Sequence, residues 1–190
     1  MAEILLFHHA LGLTEGVRAF ADGLRRAGHT VHAPDLYDGR VFDDLETGVA
    51  HSSETGFTER ADRIAGELPE ALVYVGFSLG VMPAQRLAQT RPGALGALLI
   101  SGCLPVDVFA EKWPEGVPVQ VHGMDADPCF AGEGDLAAAR ELVAGAADRE
   151  LFLYPGTAHL FTERGTPSYV PDATALCAER ALSFLEGIGA

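Results

Sequence analysis

Short apolar runs alternate with amphipathic stretches from one end of the chain to the other. Six of these runs have the length of strands, and most are continuously apolar, which is typical of parallel strands covered on both faces. The alternation with helical patterns predicts an α/β fold, a doubly wound and mostly parallel sheet of about six strands flanked by helices. The predicted strands are Ile4–His8, Thr30–Ala33, Leu72–Gly76, Ala97–Ser101, Val117–His122 and Glu150–Tyr154.

The stretches between these runs carry their apolar residues on one stripe, as helices that pack on a sheet do. The first helix is expected to have Thr14 as its N-cap and to end at Gly28. Neither a linker nor a repeat interrupts the pattern, so residues 1–190 are expected to form a single domain. Further helices are predicted at Phe57–Leu68, Leu79–Thr90, Asp135–Ala146 and Pro171–Leu185.

The longest stretch without a periodic pattern runs from Asp35 to Gly56. It is expected to be an irregular loop, and loops of this length in a compact domain are often functional. Because open α/β sheets bind ligands at the carboxyl ends of their strands, the loop is a candidate roof for a pocket at that edge.

The turn after the third predicted strand has the sequence GFSLG, with Ser78 between two glycines. It fits G-x-S-x-G, the nucleophile elbow, and it has the strand before it and the helix after it that this motif requires. Gly76 and Gly80 leave space where side chains would collide with the neighbouring strand and helix, and the serine occupies a strained turn. Ser78 is therefore the candidate nucleophile. The alternative is a glycine-rich turn whose serine only caps the helix.

A serine nucleophile needs a base, and the base needs a carboxylate to orient it. In this type of fold the acid follows the serine along the chain and the histidine comes last. His159, just past the last predicted strand, is the histidine in that place. The segment GMDADP after the fifth strand offers both Asp125 and Asp127. Asp127 is favoured because Pro128 stiffens the turn that presents it, and Asp125 stays the alternative.

The tetrahedral intermediate of such a reaction needs two hydrogen-bond donors for its oxyanion. One is expected to be the N–H of Leu79, at the positive end of a helix, and the other the N–H of Ala10, in the loop after the first strand. Candidates for substrate binding are His9, Tyr37 and Phe77. For each of these three side chains the alternative is packing in the core.

Composition and charge exclude several other classes of function. The net charge of −14 disfavours nucleic acid and anionic membranes as partners, and no apolar run approaches the ~20 residues of a membrane span. The histidines lack metal-ligand spacing, and GFSLG is not a phosphate loop, so neither a metal nor a cofactor is expected. Three widely spaced cysteines and an N-terminus without a signal-peptide pattern predict a cytoplasmic protein.

Five stretches together resemble the dienelactone hydrolase family of α/β-hydrolases, and the resemblance covers nearly the full chain. It implies an α/β-hydrolase fold with strand order 2-1-3-4-5-6, lacking the family's usual N-terminal hairpin. It also implies Ser78, Asp127 and His159 as a catalytic triad. The stretches are HHALGL, APDLYDG, VGFSLG, VHGMDADP and YPGTAHLF.

The chain departs from the family pattern in three places. Family members often carry cysteine where this chain has Ser78, and a family glutamate near that cysteine is replaced by His9. The basic residues that bind the lactone carboxylate in the namesake enzyme have no clear match, since Arg40 and Arg164 lie only near the expected places. The fold and the triad therefore transfer better than the substrate does.

The chain is expected to be a serine hydrolase that cleaves a small ester, lactone or thioester through an acyl-enzyme. It is expected to be a monomer or a homodimer. Two alternatives remain open at this point. One is a non-catalytic small-molecule binder on a hydrolase scaffold, because a fold alone does not establish activity. The other is a hydrolase of small amides.

Overall fold

The computed structural model describes residues 1–144 and 147–188. Strands and helices alternate along most of the chain, and two helices lie between the second and third strands. A 3₁₀ turn at Ser78–Gly80 connects the third strand to the fourth helix. The strands are β1 (Glu3–Phe7), β2 (Thr30–His32), β3 (Val73–Phe77), β4 (Gly96–Ile100), β5 (Val119–Met124) and β6 (Arg149–Tyr154). The helices are α1 (Glu15–Arg26), α2 (Leu45–Thr55), α3 (Phe57–Gly66), α4 (Val81–Thr90), α5 (Asp135–Val143) and α6 (Pro171–Ile188).

The six strands form one sheet in the order β2-β1-β3-β4-β5-β6, and every neighbouring pair is parallel. The predicted α/β fold, its strands and their order are therefore confirmed. The strand ends lie within about two residues of the predicted ends, as is usual for boundaries. The helix predicted at Asp135–Ala146 ends at Val143, and Ala146 lies outside the described residues.

The stretch from Asp35 to Gly56 differs from its prediction, because it contains the helix α2. Asp44 caps this helix by accepting the N–H of Thr47 at 2.8 Å, and Gly56 ends it in the left-handed conformation. The helix buries only Gly48 and Ser52, so it lacks the apolar stripe by which helices are predicted. The expectation of an irregular loop was wrong for that reason.

The sheet separates two apolar layers of the core. Successive residues of β3 point to opposite faces, as in any strand. Tyr74 packs in the layer that includes Ala61 of α3 and Leu87 of α4, while Val75 packs in the layer that includes Val17 of α1. β3, β4 and β5 are buried along their whole length, which explains why the sequence shows β3 and β4 as continuous apolar runs.

Because all six strands are parallel, their carboxyl ends lie at one edge of the sheet. The segments that follow β1, β3, β5 and β6 leave from this edge, and they carry the residues predicted to do chemistry. Within residues 1–144 and 147–188, no helix has both the length and the apolar character needed to cross a membrane.

Candidate active site

Ser78 lies at the tip of a tight turn between β3 and α4. Its φ of 47° falls in the left-handed region, which a residue with a side chain rarely adopts. A Cβ added to Gly76 would lie 2.7 Å from the Cα of Val81, and one added to Gly80 would lie 2.6 Å from the carbonyl oxygen of His8. Only glycine fits at either position, as the elbow motif predicts. The turn consequently projects the serine hydroxyl from the sheet edge.

Ser78, His159 and Asp127 form a continuous series of hydrogen bonds. The Oγ of Ser78 lies 2.7 Å from the Nε2 of His159, and the Nδ1 of His159 lies 2.7 Å from the Oδ2 of Asp127. An ionised carboxylate can only accept, so Nδ1 carries the ring proton and Nε2 is free to accept the serine O–H. This is the arrangement in which a histidine can remove a proton from serine.

Asp127 is held in place by burial and by its own backbone turn. Its side chain is fully buried, and its second oxygen, Oδ1, accepts the N–H of Cys129 at 2.9 Å. Asp125, the alternative acid, instead accepts the N–H of Gly156 at 3.0 Å and lies in the exposed part of the turn. The structure thus brings Asp127, and not Asp125, into contact with His159.

A cavity of about 360 Å³ opens beside the serine, and Ala10, Leu79, Ser78 and His159 all contribute to its wall. Both residues predicted to donate to an oxyanion are therefore at the site. Leu79 lies in the 3₁₀ turn that leads into α4, where the N–H groups of a helix start carry partial positive charge. Ala10 belongs to the loop after β1.

Helix α2 supports the loop that contains Ala10. A Cβ added to Gly48 would lie 2.7 Å from the carbonyl carbon of Ala10, so the helix contacts the loop backbone directly. The phenolic O–H of Tyr37 donates to the carbonyl oxygen of Gly48 at 2.8 Å and fixes this contact from the other side. Leu45 and Val49 of the same helix line the cavity beside Ser78.

The three side chains expected to bind substrate are all buried. His9, Tyr37 and Phe77 are at most 2% exposed, and none of them lines the cavities that reach Ser78 or His159. Phe77 packs edge-on against Phe20 of α1 at 5.1 Å between ring centroids. Tyr37 and Phe77 are therefore packing residues, which was the alternative considered for them, and His9 has a separate partner.

His9 forms a buried pair with Glu163, a residue that the sequence did not single out. The Nδ1 of His9 accepts the N–H of Leu11 at 3.2 Å, so its Nε2–H donates to the Oε2 of Glu163 at 2.9 Å. Glu163 also accepts the O–H of Thr14 at 2.6 Å and the N–H of Gly16 at 3.1 Å. Burial alone would raise the pKa of Glu163, but the hydrogen bonds from His9 and Thr14 outweigh it and lower that pKa.

This pair connects two parts of the site. Glu163 lies four positions after His159, and His9 lies next to Ala10, so the hydrogen bond joins the loop of the base to the loop of an expected oxyanion donor. The sequence contained one indirect signal. A Cβ on Gly16 would lie 2.6 Å from the carboxyl carbon of Glu163, so a larger residue at position 16 would displace this carboxylate from its present contacts.

Replacing Glu163 by glutamine is expected to lower kcat by about 10- to 100-fold with little change in KM, because the amide loses the charge and one of the two acceptor oxygens that join the two loops, while the walls of the cavity beside Ser78 are unchanged. The carboxylate is stabilised in the native state, so its contribution to stability is present above its ordinary pKa of about 4.3 and is lost as the pH falls through the lower native value. Kinetics and urea unfolding at several pH values test both statements.

Glu141→Gln supplies the matched control for this variant, since it makes the same chemical change at an exposed position of α5 that lines neither cavity near His159. The difference in unfolding free energy between wild type and Glu163→Gln should shrink below about pH 4, whereas Glu141→Gln should follow wild type. A constant difference at all pH values, or an unchanged kcat, would contradict the positioning role.

One group of side chains in the described part of the chain has the proximity that a metal site requires. Ligand atoms of Asp127, Cys129 and His159 lie within 4.8 Å of one another. Asp127 and His159 already bind each other, and burial raises the pKa of the Cys129 thiol, which opposes the thiolate form that binds metals. The hydrogen-bonded series accounts for this cluster without a metal.

The order of the strands, the nucleophile elbow at Ser78 and the hydrogen bonds that connect Ser78, His159 and Asp127 together define an α/β-hydrolase. The model of the dienelactone hydrolase family matches residues 1–189, and the chain belongs to that family. It is a hydrolase, and the resemblance predicted from the sequence is confirmed. A search of curated proteins gives no match to the chain.

Solved structures show the same fold at low sequence identity. A dienelactone hydrolase-like promiscuous phosphotriesterase from metagenomic libraries aligns with a TM-score of 0.75 and 19% identity over 99% of this chain and 87% of that one. Esterase PE8 aligns with a TM-score of 0.64 and 18% identity, over 98% of this chain and 92% of that one. A thioesterase domain from the curacin biosynthetic pathway aligns with a TM-score of 0.63 and 18% identity, over 95% of this chain and 90% of that one.

Proposed function

We propose that this protein is a serine hydrolase that cleaves small esters, lactones or thioesters through an acyl-enzyme. The observation that supports it best is the series of 2.7 Å hydrogen bonds from Ser78 through His159 to Asp127, beside a cavity large enough for a small substrate. A protein that only binds a ligand does not require a histidine that accepts the hydroxyl proton of a serine, nor does it require that serine to adopt a strained backbone conformation.

In the proposed reaction, the Oγ of Ser78 attacks the substrate carbonyl carbon while the Nε2 of His159 takes the serine proton. Asp127 keeps the ring oriented and stabilises the imidazolium that forms. The N–H groups of Ala10 and Leu79 bind the oxyanion of the tetrahedral intermediate. His159 then returns the proton to the leaving group, and water, activated by the same ring, releases the acyl group from Ser78.

The ester assignment is tested by a matched pair of substrates, p-nitrophenyl acetate and p-nitroacetanilide, which share the acyl group and differ in the atom that leaves. We expect the ester to be hydrolysed and the anilide to react at least about 10³-fold more slowly, because an amine leaves only after protonation. Faster cleavage of the anilide would make the protein an amidase. Absence of turnover of every ester tested would contradict the proposal.

A further inference from the structure

Two cavities share His159 in their walls, and the charged side chains that line them affect which substrates can bind. The first is the 360 Å³ cavity beside Ser78, Ala10 and Leu79, called below the acyl cavity. The second has a volume of about 770 Å³ and includes His159 in its wall but not Ser78, and is called below the leaving-group cavity.

The chemistry of acyl transfer assigns the two names. The acyl carbon bonds to the Oγ of Ser78 and its oxygen points to the N–H groups of Ala10 and Leu79, so the acyl chain occupies the cavity that contains these residues. The leaving atom must reach the Nε2 of His159 to be protonated, so the remainder of the substrate extends past that ring. The larger cavity lies there, with apolar walls that include Leu11, Leu13, Phe42 and Leu160.

Charge within the acyl cavity has one sign. Glu133 and Asp135 line it, and among its described lining residues there is no lysine or arginine. Asp135 is fixed, because its Oδ2 accepts the N–H of Cys103 at 3.1 Å. Glu133 is exposed at the rim. A carboxylate on the acyl chain would thus be removed from water beside two like charges without a cation to compensate it.

The leaving-group cavity has Arg18 in its wall, together with the carboxylates of Glu15, Asp43 and Glu163. Arg18 does not line the acyl cavity. The Nε of Arg18 also donates to the carbonyl oxygen of Leu13 at 3.2 Å. The side chains Arg40 and Arg164, considered from the sequence as carboxylate binders, line neither cavity.

We infer that the acyl cavity selects substrates whose acyl group carries no negative charge, and that it favours an acyl group with a cation at its far end. This inference rests on the proposed function. The basic residues with which the namesake of the family binds the carboxylate of its lactone have no counterpart among the described residues that line the acyl cavity. The substrate class is an uncharged or cationic ester of a short acyl chain with a larger apolar leaving group.

The test compares three p-nitrophenyl esters of equal chain length at low ionic strength. They are the neutral hexanoate, the anionic hemiadipate and the cationic 5-(trimethylammonio)pentanoate, in which the sixth chain atom is a methyl carbon, a carboxylate carbon and an ammonium nitrogen, respectively. We expect kcat/KM for the neutral ester to exceed that for the anionic ester by at least about tenfold, and the cationic ester to be at least as good as the neutral one. High salt should narrow these ratios.

Two charge-reversal variants localise the effect. Glu133→Lys is expected to reduce the ratio of neutral to anionic kcat/KM by at least about fivefold. Glu141→Lys makes the same change of net charge on an exposed position of α5 outside the cavity, and it should leave the ratio unchanged.

The outcomes separate this inference from the proposed function. Equal or faster hydrolysis of the anionic ester by the wild type would overturn the inference while the hydrolase proposal stands. An equal effect of both variants would also overturn it, because the selectivity would then come from overall charge. Failure to hydrolyse any of the three esters would overturn both.

Discussion

Replacing Ser78 by alanine is expected to lower kcat for p-nitrophenyl acetate by at least about 10³-fold, because it removes the hydroxyl that hydrogen-bonds to the imidazole of His159. The variant keeps Gly76 and Gly80, on which the turn depends, and loses one oxygen from a cavity wall. Its fold should therefore be retained, with far-ultraviolet circular dichroism and the unfolding midpoint close to those of wild type.

Ser183→Ala is the control for this experiment. Ser183 is an exposed serine of α6 whose hydroxyl donates to the carbonyl oxygen of Glu179 at 3.2 Å, and its removal should leave kcat unchanged. A Ser78→Ala protein that is folded and keeps wild-type turnover would refute the role of the serine.

The second large effect is expected at Asp127, where asparagine should lower kcat by about 10²- to 10⁴-fold. The amide oxygen can still accept the N–H of Cys129, but the side chain no longer requires a proton on the Nδ1 of His159. An imidazole that donates from Nε2 to the serine cannot accept the serine proton. Steady-state kinetics on one ester substrate measures the loss.

Asp125→Asn makes the same chemical change two residues earlier in the same turn. Among the described residues, the Asp125 carboxylate accepts a hydrogen bond only from the N–H of Gly156. The substitution should therefore loosen the turn slightly and lower kcat by less than about threefold. The two variants decide between the acids that the sequence left open. A greater loss from Asp125→Asn than from Asp127→Asn would show that the hydrogen bond to His159 is not the one that matters.

Much of the fold could be predicted because the pattern is strongly periodic. Strands such as β3 and β4 are apolar at every position because both faces are covered, and parallel pairing imposes the helical crossovers between them. Helix α2 could not be predicted from the same signal. It buries two small residues, and it owes its bounds to a capping aspartate and a left-handed glycine.

The candidate triad could be predicted from the sequence for a different reason. The elbow motif combines a rare backbone conformation with a requirement for glycine at two positions, so a five-residue pattern identifies the turn and its serine. The order of the remaining partners along the chain then leaves few choices. The sequence favours Asp127 without excluding Asp125, because only the three-dimensional course of the turn determines which carboxylate faces the ring.

The supporting residues lay beyond sequence reasoning. Glu163 looks like an ordinary acidic loop residue, and its burial follows only from the convergence of the loop after β1, the start of α1 and the loop of His159. The sequence makes His9 and Tyr37 candidates for substrate binding, with packing in the core as the alternative. Both lie behind the cavity wall, where they hold the loops that form it.

The central claim is that His159 activates Ser78, and reaction with a fluorophosphonate followed by mass spectrometry tests it most directly. The account predicts one phosphonyl group per chain, on the peptide that contains Ser78, with labelling slowed strongly in His159→Ala and unaffected in Ser183→Ala. A wild-type protein that stays unlabelled, or that is labelled at another residue, would contradict it.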